Sequence, residues 1–241
     1  MIDQFRIFTE KFEEVWDGVP GHDIKIDYPR FESTSRKEVA KELTLLFGGR
    51  ASRALYASRQ KPWEQYPDLL KGYDSIVSKN GRWDSFKIVH CNSKFLSISY
   101  HIGWYGAGAA HPNSDYSTYN FALLDRVYPL ELADFFSNEN EALRIISKVC
   151  IEQLCKEHWK KTNERPDQET IDWFEKGAGP ELQNFSAFTV SDDRFTFYFP
   201  PYQVGPYAAG EWNVDVSFYE LFETLREGGP HILANTNSGR E

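Results

Sequence analysis

The spacing of apolar residues changes period along the chain, and this constrains the fold more than any other feature. Over residues 85–91, 94–104 and 116–124 they recur at every second position, the period of a strand with one buried face. Asn92-Ser93 suits a tight turn between the first two stretches, and Asp125-Arg126 turns the chain after the third. Over 139–161 the period becomes helical, with Ala142, Ile145, Ile146, Val149, Cys150 and Leu154 on one stripe. Lys156, Lys160 and Lys161 stand at the end that the helix dipole favours for cations. Strands return at 185–190, 194–199 and 211–217, the first two joined by the turn Ser191-Asp192-Asp193. Strands in runs, interrupted by one long helix, predict an α+β fold: a mostly antiparallel sheet with one long helix and flanking shorter helices, not a doubly wound sheet.

Shorter signals fill in the rest. Phe5, Phe8, Phe12, Val15 and Trp16 make a helical stripe over 4–16, closed by Gly18 and Pro20. Ile24, Ile26 and Tyr28 alternate as a short strand. Ser35 with Glu38 has the capping-box pattern and opens a helix bearing Val39, Leu43, Leu46 and Phe47, which stops at Gly48-Gly49. Residues 50–79 are mixed, with helix around 63–70. Leu130, Leu132, Phe135 and Phe136 form an apolar cluster before a cap at Ser137 or Asn138. Pro166-Asp167 begins a helix through Phe174 that Gly177 ends, and Ser217 with Glu220 caps a last helix carrying Leu221, Phe222 and Leu225. The composition from Gly228 onward predicts a frayed tail.

Composition narrows the function classes. The 241 residues are 41% hydrophobic and 26% charged, with 7 Trp, 13 Tyr and 18 Phe, which fits a folded chain with an aromatic-heavy core rather than a disordered or fibrous one. No stretch reaches the roughly 18 to 20 apolar residues of a spanning helix, and the start lacks the layout of a secretion signal. A net charge of −9 without a long basic run argues against nucleic acid, whereas it would steer a basic partner toward the surface. Arg50, Arg53, Arg59 and Lys61, beside Glu64, read as a solvated helix face. Cys91, Cys150 and Cys155 permit at most one bridge, contain no CxxC and read as small buried apolar residues.

Candidate motifs are few. Gly106-x-Gly108 follows a strand, but His111, Pro112 and Asn113 stand where a dinucleotide fold needs a third glycine and a helix. His90, His101 and His111 lie near one another without the carboxylate or cysteine spacing of a metal site, so no metal and no cofactor is called for. His111 reads as fixing its loop through backbone bonds, with a general base as the alternative. Asp192 and Asp193 are turn residues whose side chains point apart, unsuited to flanking a sugar. The segment Phe-Pro-Pro-Tyr-Gln-Val-Gly-Pro-Tyr-Ala-Ala-Gly at 199–210 reads as a rigid loop with exposed tyrosines, either a binding surface or a cover for one sheet end.

Three ordered motifs carry a resemblance: Gly-Ala-Gly-Ala-Ala-His-Pro-Asn at 106–113, Tyr119-Asn120-Phe121 with Leu-Glu-Leu-Ala-Asp-Phe-Phe at 130–136, and Phe197 to Gly210 followed by a strand and helix. Over about 85–226 the chain resembles the RsiV-like domain of unknown function, the carboxy-terminal domain type of the anti-sigma factor RsiV and the peptidoglycan deacetylase PdaC. Ala109-Ala110 departs from the glycine the family favours at the first position. The resemblance implies a division into a small α/β companion region (1–84), the RsiV-like α+β domain (85–227) and a flexible tail (228–241). It also implies an extracytoplasmic setting and no catalytic residues of the domain's own. The function expected on these grounds is a non-catalytic binding module of the cell envelope, recognising a basic protein such as lysozyme or a cell-wall partner. Trp104, Tyr105, His111, Asn113, Tyr202 and Tyr207 are its candidate contact residues. The competing readings are a cell-wall-directed hydrolase using His111 and an immunity or inhibitor protein against a secreted toxin.

Overall fold

The computed structural model describes residues 5–65 and 79–234. Six strands, β1 (Arg6–Trp16), β2 (Gly21–Glu32), β3 (Lys79–Cys91), β4 (Phe95–Tyr105), β5 (Asn113–Leu123) and β6 (Val127–Pro129), lie in that order in one sheet. A second sheet holds β7 (Phe188–Val190), β8 (Arg194–Phe199) and β9 (Trp212–Ser217). The helices are α1 (Lys37–Ser58), α2 (Glu139–Thr162), α3 (Gln168–Gly177) and the short α4 (His231–Ala234). The β1–β2, β5–β6, β7–β8 and β8–β9 pairs are antiparallel and β2–β3 is parallel. The class is α+β, as the strand runs predict. The chain divides into two compact units, 1–87 with 100–115 and 88–99 with 116–241. The sequence boundary at 84/85 falls inside β3, whereas β3, β4 and β5 each contribute one end to each unit.

In the first unit, β1 stands where the sequence predicts a helix. Phe8, Phe12 and Trp16 are four apart, a spacing that one face of a helix and one face of a strand both satisfy. The residues between them decide it. Glu10 shares that face and pairs with Arg30 on β2 at 2.7 Å, and Glu14 meets His22 at 2.9 Å. The Phe12 ring lies 5.1 Å from that of Tyr28.

Helix α1 covers β2, with Ile24 and Ile26 packed against Ala51, Ala54 and Leu55. It does not stop at Gly48-Gly49. Its buried stripe of Val39, Leu43 and Phe47 continues in Ala51, Ala54 and Leu55, and that burial outweighs the roughly 1 kcal/mol each glycine costs in a helix. The N-cap is Arg36 rather than Ser35, with no side-chain cap from Arg36 itself, and the Arg36 amide donates to Ser33 Oγ at 3.0 Å. Residues 63–65 are not helical, and 66–70 lie outside the described residues.

The basic cluster is also corrected in part. Arg50 is largely buried, donating to the fully buried Asp84 carboxylate at 3.0 Å with its guanidinium 3.7 Å above the Tyr100 ring. Arg82 holds the same carboxylate at 2.9 Å. Arg59 clasps Glu14 at 2.8 and 3.0 Å and holds its carboxyl below the usual range. Arg53 is exposed and Lys61 pairs with Glu64 at 3.1 Å, so these two do lie on a solvated face.

The second unit is built on phenylalanine. Phe135, Phe185, Phe195, Phe197 and Phe199 are fully buried, with edge-to-face contacts such as Phe135 to Phe195 at 5.2 Å and Phe185 to Phe197 at 5.2 Å. Helix α2 buries Ala142, Ile146, Cys150 and Leu154, capped at Asn138, whose side chain accepts from the Glu141 amide. Asp167 caps α3 in the same way. Cys150 is buried as read, but Cys91 and Cys155 are half-buried, and all three are free thiols. Burial pushes the Cys91 thiol up to about 11.

Two expectations near the carboxy end fail. Ser217 and Glu220 do bond reciprocally, at 2.8 to 3.3 Å, but residues 218–224 are successive turns rather than a helix. Leu225 leaves them to bridge Phe136, and the Arg226 amide donates to the Phe135 carbonyl at 2.8 Å. The tail is packed up to Ala234, which is fully buried, and Asn92 Nδ2 donates to the Leu233 carbonyl at 2.8 Å. Residues 235–241 lie outside the described ones.

Buried polar side chains tie β7 to the neighbouring sheet within this unit. Ser97 Oγ donates to Asn120 Oδ1 at 2.6 Å and accepts from the Val190 amide at 2.9 Å. Asn120 Nδ2 donates to the Phe188 carbonyl at 3.0 Å, and Thr118 Oγ1 accepts from the Phe188 amide at 3.0 Å. Asn120→Ala leaves the Phe188 carbonyl without its Asn120 donor and Ser97 without its acceptor, two buried groups at about 1 to 3 kcal/mol each. A loss of about 2 to 6 kcal/mol in urea denaturation is expected, and a loss under 0.5 kcal/mol would show that the network carries little.

Candidate functional site

The six candidate contact residues divide between the two units: Trp104, Tyr105, His111 and Asn113 in the first, Tyr202 and Tyr207 in the second. Each group is built differently.

In the first unit the chain leaves β4 through a turn in which the Ala109 amide donates to the Gly106 carbonyl at 2.8 Å. The Tyr105 hydroxyl donates to the Ala109 carbonyl at 2.5 Å, and the Ala107 amide donates to Asn80 Oδ1 at 2.7 Å. His111 Nδ1 lies 2.8 Å from the Pro112 carbonyl, the backbone bond read from its setting. Asn113 Oδ1 accepts from the Ser114 amide at 3.0 Å. Trp104, partly exposed, lines a cavity of about 280 Å³ with Ile24, Arg82 and Gln60. The sequence reading missed Trp83. Its indole lies against Gly103 of β4, where a Cβ would stand 1.9 Å from the indole nitrogen, so glycine there is what admits the ring.

In the second unit, residues 200–210 form turns with a 3₁₀ turn at Tyr207–Ala209. Tyr202 is half exposed, its ring 5.9 Å from that of Tyr207. Its backbone is left-handed at φ 72°, uncommon for a residue with a side chain and retained only where the surroundings impose it. The next two residues supply that imposition. Gln203 Nε2 donates to the Gly177 carbonyl at 2.9 Å and to the Asn184 carbonyl at 2.8 Å, and Val204 is buried. The Gln203 carbonyl sits against Gly177, where a Cβ would approach it to 1.9 Å. Gly177 thus does more than end α3. At the far end of the loop the Tyr116 hydroxyl donates to Glu211 Oε2 at 2.6 Å, and burial with this bond pushes the Tyr116 pKa up.

The other candidate groups have structural partners. His90 Nδ1 faces Asp192 at 3.4 Å, and its Nε2 meets Asn92 Nδ2 at 3.0 Å. Asn92 in turn accepts the Lys94 and Phe95 amides at 2.7 and 2.8 Å, closing the predicted turn. Asp193 pairs with Arg194 at 2.8 Å, which holds its carboxyl below the usual range. Among the described residues no three of His, Cys, Asp and Glu gather as a metal site, and no helix is long and apolar enough to cross a membrane.

A two-unit α+β protein whose second unit presents a braced tyrosine loop is the class that this geometry defines. Residues 133–219 match the family described as "Protein of unknown function (DUF3298)". The chain is 25% identical over 190 residues to the peptidoglycan-N-acetylmuramic acid deacetylase PdaC of Bacillus subtilis (strain 168), covering 78% of this chain and 39% of that protein. It therefore spans about two fifths of that relative's length. Two solved structures share the fold. One, of a DUF3298 family member from Bacteroides fragilis NCTC 9343, has a TM-score of 0.70 at 15% identity over 97% of this chain and 98% of the other. The second, from Pseudomonas aeruginosa PAO1, has a TM-score of 0.59 at 14% identity over 95% and 96%.

Burial holds the His90 pKa below its ordinary value, partly offset by Asp192, and lowers that of His231 as well. The unfolded chain takes up these protons near pH 6.5 and the folded chain only at lower pH, so stability falls as pH drops below about 6.5. Urea midpoints should be lower at pH 5.5 than at 7.5, and the difference should shrink in a His90→Gln, His231→Gln variant. An undiminished difference would assign the effect to other groups.

Proposed function

We propose that this protein is a non-catalytic binding module of the cell envelope whose partner is a basic protein, lysozyme-like in charge. The observation that carries the reading is the braced left-handed Tyr202, which holds two neighbouring tyrosine rings on a loop with little freedom to lose. Paired aromatics already ordered before binding give large contact area at low entropic cost. The net charge of −9 supports a basic partner and would speed its approach. The envelope setting rests on the likeness to part of a peptidoglycan deacetylase. Trp104, Tyr105, His111 and Asn113 form a further candidate patch on the first unit.

Calorimetric titration with lysozyme at moderate salt tests the reading. Saturable heat is expected, with Tyr202→Ala and Tyr207→Ala each weakening the affinity by about tenfold or more if the loop is the centre of contact. Absence of heat at high micromolar concentration would remove that partner. Full affinity in the Tyr202→Ala, Tyr207→Ala double variant would move the contact elsewhere.

A further inference from the structure

Four cations surround one cavity on a chain that is acidic overall. The cavity, about 600 Å³ in the first unit, lies between β2 and the first turns of α1, a size ordinary for small-ligand sites. Arg6, Arg30, Lys37 and Lys41 line it, with Glu32 as the carboxylate on its wall. Arg30 is already committed to Glu10 and Glu32. Among the described residues Arg6, Lys37 and Lys41 form no ion pair.

The placement of the two lysines works against the helix that carries them. They are four residues apart on α1, where like charges repel, and they occupy its first turns, where the dipole disfavours cations. An anion seated between them would relieve both effects. The wall is held in place beforehand: Thr44 Oγ1 accepts from the Phe31 amide at 2.9 Å and donates to the Phe31 carbonyl at 3.2 Å, pinning α1 to β2. Ser33 and Thr34 add hydroxyls on one side, and Phe31 and Leu45 an apolar wall on another.

We infer that this cavity binds a phosphate-bearing small molecule, its phosphoryl group met by Lys37, Lys41 and Arg6 and its carbon skeleton lying against Phe31 and Leu45. Several unpaired cations with flanking hydroxyls suit a dianion of many oxygens better than a single carboxylate. The inference does not rest on the tyrosine loop, which belongs to the other unit.

Calorimetric titrations with glycerol 3-phosphate and inorganic phosphate, with acetate and glycerol as controls, test it on the whole chain. Saturable one-site binding of the phosphorylated probes is expected, weaker at high salt and weakened about tenfold or more by Lys37→Glu with Lys41→Glu. Tighter binding of glycerol 3-phosphate than of phosphate would place the carbon skeleton in the site, and equal affinity would restrict the ligand to the anion and overturn that part. No saturable binding, equal binding of acetate, or unchanged affinity in the double variant would overturn the whole. Should charge reversal unfold the chain, backbone amide shifts on titrating the unaltered protein with phosphate decide the matter. Shifts at Thr34, Lys37 and Thr44 support the site, and shifts only elsewhere overturn it.

Discussion

The second sheet depends on three polar side chains. A strand of three residues such as β7 has little sheet of its own, and its buried amides and carbonyls need partners. Ser97, Asn120 and Thr118 supply them from β4 and β5, meeting the backbone at Phe188 and Val190. With β7 held there, β8 and β9 follow by antiparallel pairing, and the phenylalanines of β8 enter the core. The loop that leaves Phe199 starts from that fixed strand, so the network stands beneath the tyrosine surface as well as beneath the sheet.

The tyrosine loop and the basic cavity show two ways of preparing a surface. At the loop, Gln203 turns its carboxamide back under the chain and leaves Tyr202 facing out, in a backbone conformation that the residue would not choose alone. At the cavity, the backbone is ordinary and the unfavourable element is charge: lysines at the wrong end of a helix. The corresponding readings rest on these two different observations and on different units. The likeness to the two solved DUF3298 structures speaks to the fold alone, at 14 to 15% identity.

Much of the second unit was legible because its signals are local. The stripe of α2 and the caps at Asn138 and Asp167 each depend on residues a few positions apart, whereas β4, expected to bury one face, buries both over Phe95 to Tyr100 because β7 covers its Ser97 side. The first unit was read less well. The four-residue spacing of Phe8, Phe12 and Trp16 fits two periods, and only pairing with β2 selects the strand. Gly48-Gly49 looks like a helix stop until the burial of Ala51 and Leu55 against Ile24 and Ile26 is known. Arg50 looks solvated until Asp84, far along the chain, is found beside it. Of the candidate site, the two loops were recognised from their composition. Gln203, Gly177 and Trp83 were not, because a brace or a ring seat is defined by what lies across the fold.

The helical period of α2, the turn at Asn92, the acidic balance and the presence of a proline- and tyrosine-rich loop were determined by the sequence alone, since each follows from neighbouring residues and the intrinsic preferences of the backbone. Which stripe became a strand, which cation was buried, and how β3, β4 and β5 came to serve two units were decided only by tertiary structure. Those outcomes turn on burial and on hydrogen bonds between residues distant in the chain, and no local pattern contains the partner that makes one of two permitted conformations the more stable.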